Sequence, residues 1–192
     1  MKKIILATGN MHKKSEFADM LPGVEILTLK DLDAPVEIIE DGKTFEENAL
    51  IKARAVHKAT GLPVIADDSG LEVDALDGAP GVYSARWMGE DTSYDIKNAK
   101  LIELTEGKEK TARYVCVIAF VDENGEEYTC RETVEGEIAR RPEGTHGFGY
   151  DPVFWYPPFG TTLANVPESR KHEISHRGKA LRQFLKDKGS VL

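Results

Sequence analysis

Two long strand-like stretches between Thr111 and Arg140 meet at Asp122-Glu123-Asn124-Gly125, and Asn-Gly between such runs is a strong hairpin signal. The hairpin commits the second half of the chain to an antiparallel ribbon. The first half is built from short apolar runs alternating with helical patterns. A chain holding both is predicted to be α/β with a mixed sheet, in two lobes around a cleft. The length, 192 residues, suits one domain spanning 1–192 and suffices to bury most of its apolar surface.

Ile4 to Thr8 is a compact apolar run closed by Gly9-Asn10, with Phe17, Met20 and Leu21 following at helical spacing, which reads as strand, tight turn, helix. Val24 to Leu29 reads as a second strand. Thr44-Phe45-Glu46-Glu47 has capping-box spacing, and Phe45, Ala49, Leu50, Ala53 and Val56 form an apolar stripe ending near Gly61. Pro63 to Ala66 is a short buried strand that delivers Asp67-Asp68-Ser69-Gly70 at its C-terminal end, before a strand-like Leu71 to Leu76. Thr92 to Glu106 is predicted to be a helix capped at Thr92, with Ile96, Ala99 and Leu101 or Ile102 facing inward. Glycines and aromatics dominate Gly144 to Gly160, and a closing helix begins near Ser175.

With 33 acidic and 25 basic residues the formal charge is −8, which argues against broad attraction to nucleic acid or an anionic membrane. An anionic ligand must therefore be held by a local cationic pocket. Met1-Lys2-Lys3 opens like a signal peptide, but the apolar run after it stops far short of one, and no run approaches the roughly 18 apolar residues that span a bilayer. Cys116 and Cys130 have no CxxC spacing and read as buried free thiols in a reducing cytoplasm.

Paired acids at a strand end are the strongest local signal. Ligands gather at strand C-termini in α/β sheets, and adjacent side chains point to opposite faces, so one aspartate faces a site and its neighbour supports the backbone. Such an aspartate can ligate Mg2+ or orient a water; an Asx turn is the plainer alternative. Thr8-Gly9-Asn10 with Lys13 offers exposed amides at a helix start and suits a phosphate chain, or is only a helix cap. Gly147-Phe148-Gly149-Tyr150-Asp151-Pro152 either stacks a purine or packs as an aromatic turn. Lys171, His176 and Arg177 cluster around a helix start. Without HExxH or Cys/His pairs, zinc is not indicated; a carboxylate site that joined Glu40 to Asp68 would favour Mg2+ or Mn2+.

Taken in order, Thr8-Gly9-Asn10 with Lys13, Thr44 to Ala49, Ala66-Asp67-Asp68-Ser69-Gly70-Leu71, Gly78-Ala79-Pro80-Gly81-Val82-Tyr83-Ser84-Ala85-Arg86, Gly147 to Pro152 and Ile174-Ser175-His176-Arg177 closely resemble the inosine triphosphate pyrophosphatase, or Ham1-like, family from residue 3 to about 186. The resemblance implies an elongated central sheet flanked by helices and a homodimer. It also implies Mg2+-dependent hydrolysis of ITP, dITP and XTP to the monophosphate and pyrophosphate, with Mn2+ as a substitute metal. On this resemblance Asp68 is general base and metal ligand, Glu40 a metal-site carboxylate and Ser69 a substrate contact. Thr8, Gly9, Asn10, Lys13, Lys52 and Lys171 fall on triphosphate positions, and Phe148, Gly149, Tyr150, Asp151, His176 and Arg177 on base positions. Two departures stand out: His146 replaces a usual glycine, and Leu163 to Arg170 differs from the usual acid-rich run. The related Maf-type pyrophosphatases need a Ser-rich, arginine-bearing N-terminal loop that is absent here. A sensor without turnover would not need to keep Asp68, Glu40, Lys13 and Lys171.

Overall fold

The computed structural model describes residues 2–8, 14, 17, 18 and 21–189. A strand whose apolar residues do not alternate belongs where both faces are covered, and Ile4, Ile5 and Leu6 are buried in such a strand. This is β1 (Lys2–Leu6), with β2 (Val24–Thr28) and β3 (Val64–Val73) parallel to it on either edge. The sheet continues through β4 (Thr111–Val121), β5 (Glu127–Ile138), β6 (Phe154–Tyr156) and β7 (Thr161–Thr162), giving seven strands in the order β2-β1-β3-β4-β5-β6-β7. β5 pairs β6 and β6 pairs β7 antiparallel, so the sheet is mixed, as the hairpin demanded. At the hairpin turn Asp122 Oδ1 accepts from the Asn124 and Glu126 amides, each at 2.8 Å, and Gly125 takes a φ of 81°.

The helices named here are α1 (Phe45–Thr60), α2 (Tyr94–Leu104), α3 (Glu168–Ile174) and α4 (His176–Lys188). Lys14, Phe17 and Ala18 are also helical. On α1 the Thr44 hydroxyl accepts from the Glu47 amide, and Gly61 closes the helix in the left-handed region while donating to the His57 carbonyl.

The chain forms two compact units. The first comprises Met1–Asp68, Val117–Arg131 and Ala180–Leu192. Its core takes Phe45, Ala49, Ala53 and Val56 from α1, the buried runs of β1 and β3, and Phe120 with Phe184, whose ring centroids lie 5.4 Å apart. The second unit comprises Ser69–Cys116 and Glu132–Lys179, with a core of Leu71, Val73, Leu101, Ala112, Tyr114, Val134, Ile138, Tyr150, Val153, Phe154 and Leu163.

Several expectations need correction. Asp67-Asp68-Ser69-Gly70 does not end a strand: β3 runs unbroken for ten residues through it. Among the described residues β1 pairs with β3 only at Val64 and Ile65, and β3 continues past that pairing with β4 as its other neighbour, so sheet pairing overrides the local turn preference. α2 starts at Tyr94 with Ser93, not Thr92, as its cap, and its buried face is Lys97, Asn98 and Leu101 while Ile96 is 54% exposed. The C-terminal helix is preceded by a second one, α3, with Ser175 between them; the Ser175 hydroxyl accepts from the Gly178 amide, as a cap should. Cys116 and Cys130 are free thiols, the first buried and the second half-buried. Among the described residues no helix is long and apolar enough to cross a membrane.

Candidate active site

Alternation along β3 separates the two aspartates. Asp67 is buried in the first unit, whereas Asp68 keeps 14% of its side chain exposed. One α1 turn and the loop before it meet Asp68. The Lys52 ammonium donates to Glu40 Oε2 at 2.9 Å and to Asp68 Oδ1 at 3.5 Å, and it is itself only 12% exposed. Asp68 Oδ2 is buried and has no hydrogen-bond partner. Asn48, buried on α1, holds its own carbonyl oxygen on the Gly42 amide at 2.9 Å, and its side chain lies close enough to Asp68 to favour the charged carboxylate. Gly42 permits this approach, since a Cβ there would fall 2.6 Å from Asn48 Oδ1.

Burial pushes the Asp68 carboxyl above its ordinary range, against the Lys52 charge that pulls it down, and the nearby Glu40 and Asp67 charges add to the rise. Burial lowers the Lys52 ammonium, but the charges of Asp68, Asp67 and Glu40 outweigh it and the net shift is upward. The result is a firmly cationic lysine beside a carboxylate with proton affinity raised toward that of a useful base. An orphaned buried oxygen beside a second carboxylate suits a hard cation. Mg2+ commonly takes one or two protein carboxylates and completes its shell with water and phosphate oxygens. Among the described residues no group of three or more His, Cys, Asp or Glu side chains is placed to hold a metal unaided.

The second unit carries the aromatic residues of the predicted site. Asp151 is 2% exposed and its carboxylate accepts from Phe148 N at 2.9 Å, from the Tyr114 hydroxyl at 3.1 Å and from the Lys171 ammonium. Gly147 makes room for that carboxylate, since a Cβ would lie 2.2 Å from Asp151 Oδ2 at a φ of 73°. Lys171 Nζ also lies 4.9 Å from the Phe148 ring centroid, and that ring is 76% exposed. His176 stacks on Tyr114 with centroids 5.1 Å apart and ring planes 11° from parallel. Tyr150 is buried, donates to the Ser84 carbonyl at 2.6 Å and meets Tyr94 edge to face.

Sequence reasoning missed the supports of this unit. The buried Lys97 ammonium donates to the Ala85 carbonyl at 2.7 Å and lies over the Tyr94 ring, and the Asn98 amide donates to the Gly149 carbonyl at 3.0 Å. Asn48 was also missed. Its signal was a polar residue on the apolar stripe of α1, one position before Ala49. The two departures from the family pattern meet in space, since the Thr145 and His146 amides both donate to the Ala164 carbonyl.

Of the predicted site residues, Glu40, Lys52 and Asp68 come together in the first unit, with Thr8 just beyond β1, its carbonyl accepting from Leu29 N. Phe148, Asp151 and Lys171 come together in the second, with Tyr150 and Gly149 in the same loop, His176 on Tyr114, and Arg177 next along α4. Ser69 follows Asp68 in β3 and is half-buried. Gly9, Asn10 and Lys13 lie outside the described residues.

The model of the Ham1 family matches residues 4–187. A protein of Geobacter sulfurreducens named dITP/XTP pyrophosphatase is 48% identical over 97% of this chain and 96% of its own. One of the same name from Listeria monocytogenes is 46% identical over 100% of this chain and 97% of its own. Among solved structures, the Staphylococcus aureus Ham1 protein superposes with a TM-score of 0.93 at 39% identity, covering 100% of both chains. A HAM1 protein from Coxiella burnetii gives 0.91 at 41% identity, covering 96% of each.

Proposed function

The chain belongs to the Ham1 family, and on that premise we propose that it hydrolyses non-canonical purine nucleoside triphosphates, dITP, ITP and XTP, to the monophosphate and pyrophosphate with Mg2+, cleansing the nucleotide pool. The observation that carries this reading is Asp68: a carboxylate of raised proton affinity with one buried oxygen unpartnered, beside Glu40 and the Lys52 ammonium.

In this reading Asp68 takes a proton from water as the water oxygen bonds to the α-phosphorus, and the α–β anhydride bond breaks to release pyrophosphate. Lys52 neutralises phosphate charge, which an acidic protein must do locally, since a triphosphate carries about four negative charges. Glu40 and Asp68 would hold Mg2+, which when bound supplies charge neutralisation at the phosphates. Phe148 presents a ring for stacking, and His176 and Arg177 donate to a 6-keto oxygen, a pattern that leaves donors opposed when adenine offers an amino group. Asp151, engaged by Phe148 N, Tyr114 and Lys171, holds the aromatic loop in place; Lys171, rather than reaching outward, is part of that hold. The same reading has the enzyme working as a homodimer in the cytoplasm.

The test is a substrate panel scored by product. With Mg2+, the protein should release pyrophosphate from dITP and XTP at least tenfold faster than from dATP or dGTP. Orthophosphate as first product would overturn the reaction, and equal rates on all four would overturn the specificity.

A further inference from the structure

We propose that Lys52 is a resident counter-cation of the carboxylate site, which keeps the divalent metal out of the free enzyme and yields the carboxylates only when a triphosphate offers its ammonium a new anionic partner. The inference rests on the reading of the site given above and adds an order of loading to it.

Two observations carry it. The Lys52 ammonium sits on both carboxylates of the candidate metal site at once, 2.9 Å from Glu40 Oε2 and 3.5 Å from Asp68 Oδ1. The remaining oxygen of Asp68 is out of contact with solvent and unpartnered. One oxygen of Asp68 is thus occupied by a cation and the other is closed to a hydrated ion. A metal that reaches Asp68 must first move the ammonium. Mg2+ dehydrates reluctantly and is repelled by a cation already on the site, so by itself it is a poor competitor. A triphosphate changes the balance twice, since its oxygens both ligate the metal and draw the ammonium off the carboxylates.

The ammonium also offsets the charge of the two carboxylates it holds together, Glu40 and Asp68. Removing it should convert the site into one that needs a metal.

The test is Mn2+ binding without nucleotide, followed by electron paramagnetic resonance, on the wild-type protein, Lys52→Met and Lys52→Arg. Wild type and Lys52→Arg should bind Mn2+ weakly, and Lys52→Met at least tenfold more tightly. Thermal melts give a second readout: Mg2+ should raise the Tm of Lys52→Met by several degrees more than that of wild type. If Lys52→Met does not fold in EDTA, folding restored by Mg2+ but not by sodium at equal ionic strength supports the proposal. Equal Mn2+ affinity in wild type and Lys52→Met, or Tm values that respond equally to Mg2+, overturn it. Because neither readout involves turnover, a wild-type enzyme that releases pyrophosphate while these measurements fail sinks the loading order and leaves the activity standing.

Discussion

Asp68 shows what a base costs its protein. Its carboxyl is held above the ordinary value of 3.8 chiefly by burial. The native state therefore keeps its proton to higher pH than the unfolded chain does. Between 3.8 and the raised native value the folded form binds more protons, so the stability owed to this group falls as pH rises through that window, and the deficit persists above it. Asp68→Asn should accordingly melt no lower than wild type at pH 7.5, with the difference shrinking below pH 4, while pyrophosphate release is lost. Calorimetry across pH checks the first part and a product assay the second; a lower Tm at neutral pH would refute it. The acid limb of kcat/KM, which reports the free enzyme, should lie above the usual carboxylate range for the same reason. The acid pair was legible in the sequence because two aspartates after four apolar residues are chemically conspicuous. Asn48 was not, since an asparagine on an apolar stripe announces nothing until the loop before the helix folds Gly42 back onto it and β3 brings Asp68 beside it.

Among the elements, α2 is where reasoning from hydrophobicity failed, and the failure has a physical cause. Counting apolar positions turned Ile96 and Ala99 inward, yet the surface α2 covers is lined by the carbonyls of Ala85 and Gly149, which require donors. Lys97 and Asn98 supply them. Truncating Asn98 to Ala leaves the half-buried Gly149 carbonyl without its donor and should cost about 1 kcal/mol. Because Gly149 adjoins Tyr150 and Phe148, the variant should raise KM more than it lowers kcat. Urea denaturation and steady-state kinetics with dITP check both, and an unchanged KM would detach α2 from the loop it supports. α1, by contrast, was readable from end to end: its cap, stripe and terminal glycine are local signals and agree with one another.

Over the whole molecule, the mixed sheet followed from the contrast between early strand–helix units and the late hairpin. β6 and β7, of three and two residues, did not, because strands so short carry no periodicity and exist only as partners of β5 and of each other. Both cores pack on buried apolar side chains, and Lys52 sits on Glu40 and Asp68. EDTA should therefore abolish pyrophosphate release while leaving the far-ultraviolet circular dichroism and the Tm of the wild type unchanged. A fall of several degrees in Tm would show that metal belongs to the fold as well as to the chemistry.

The continuity of β3 has a further consequence. Asp67 and Asp68 have the same side chain and differ only in parity, one odd and one even along a single uninterrupted strand. Inserting or deleting one residue between Pro63 and Asp67, with the pairing to β1 kept, would exchange the inward and outward acids without altering either. A deletion would bring Ser69 to the place of Asp68, whereas an insertion would bring Asp67 there and carry Asp68 to the buried face. The spacing from Pro63 thus decides which side chain serves the site.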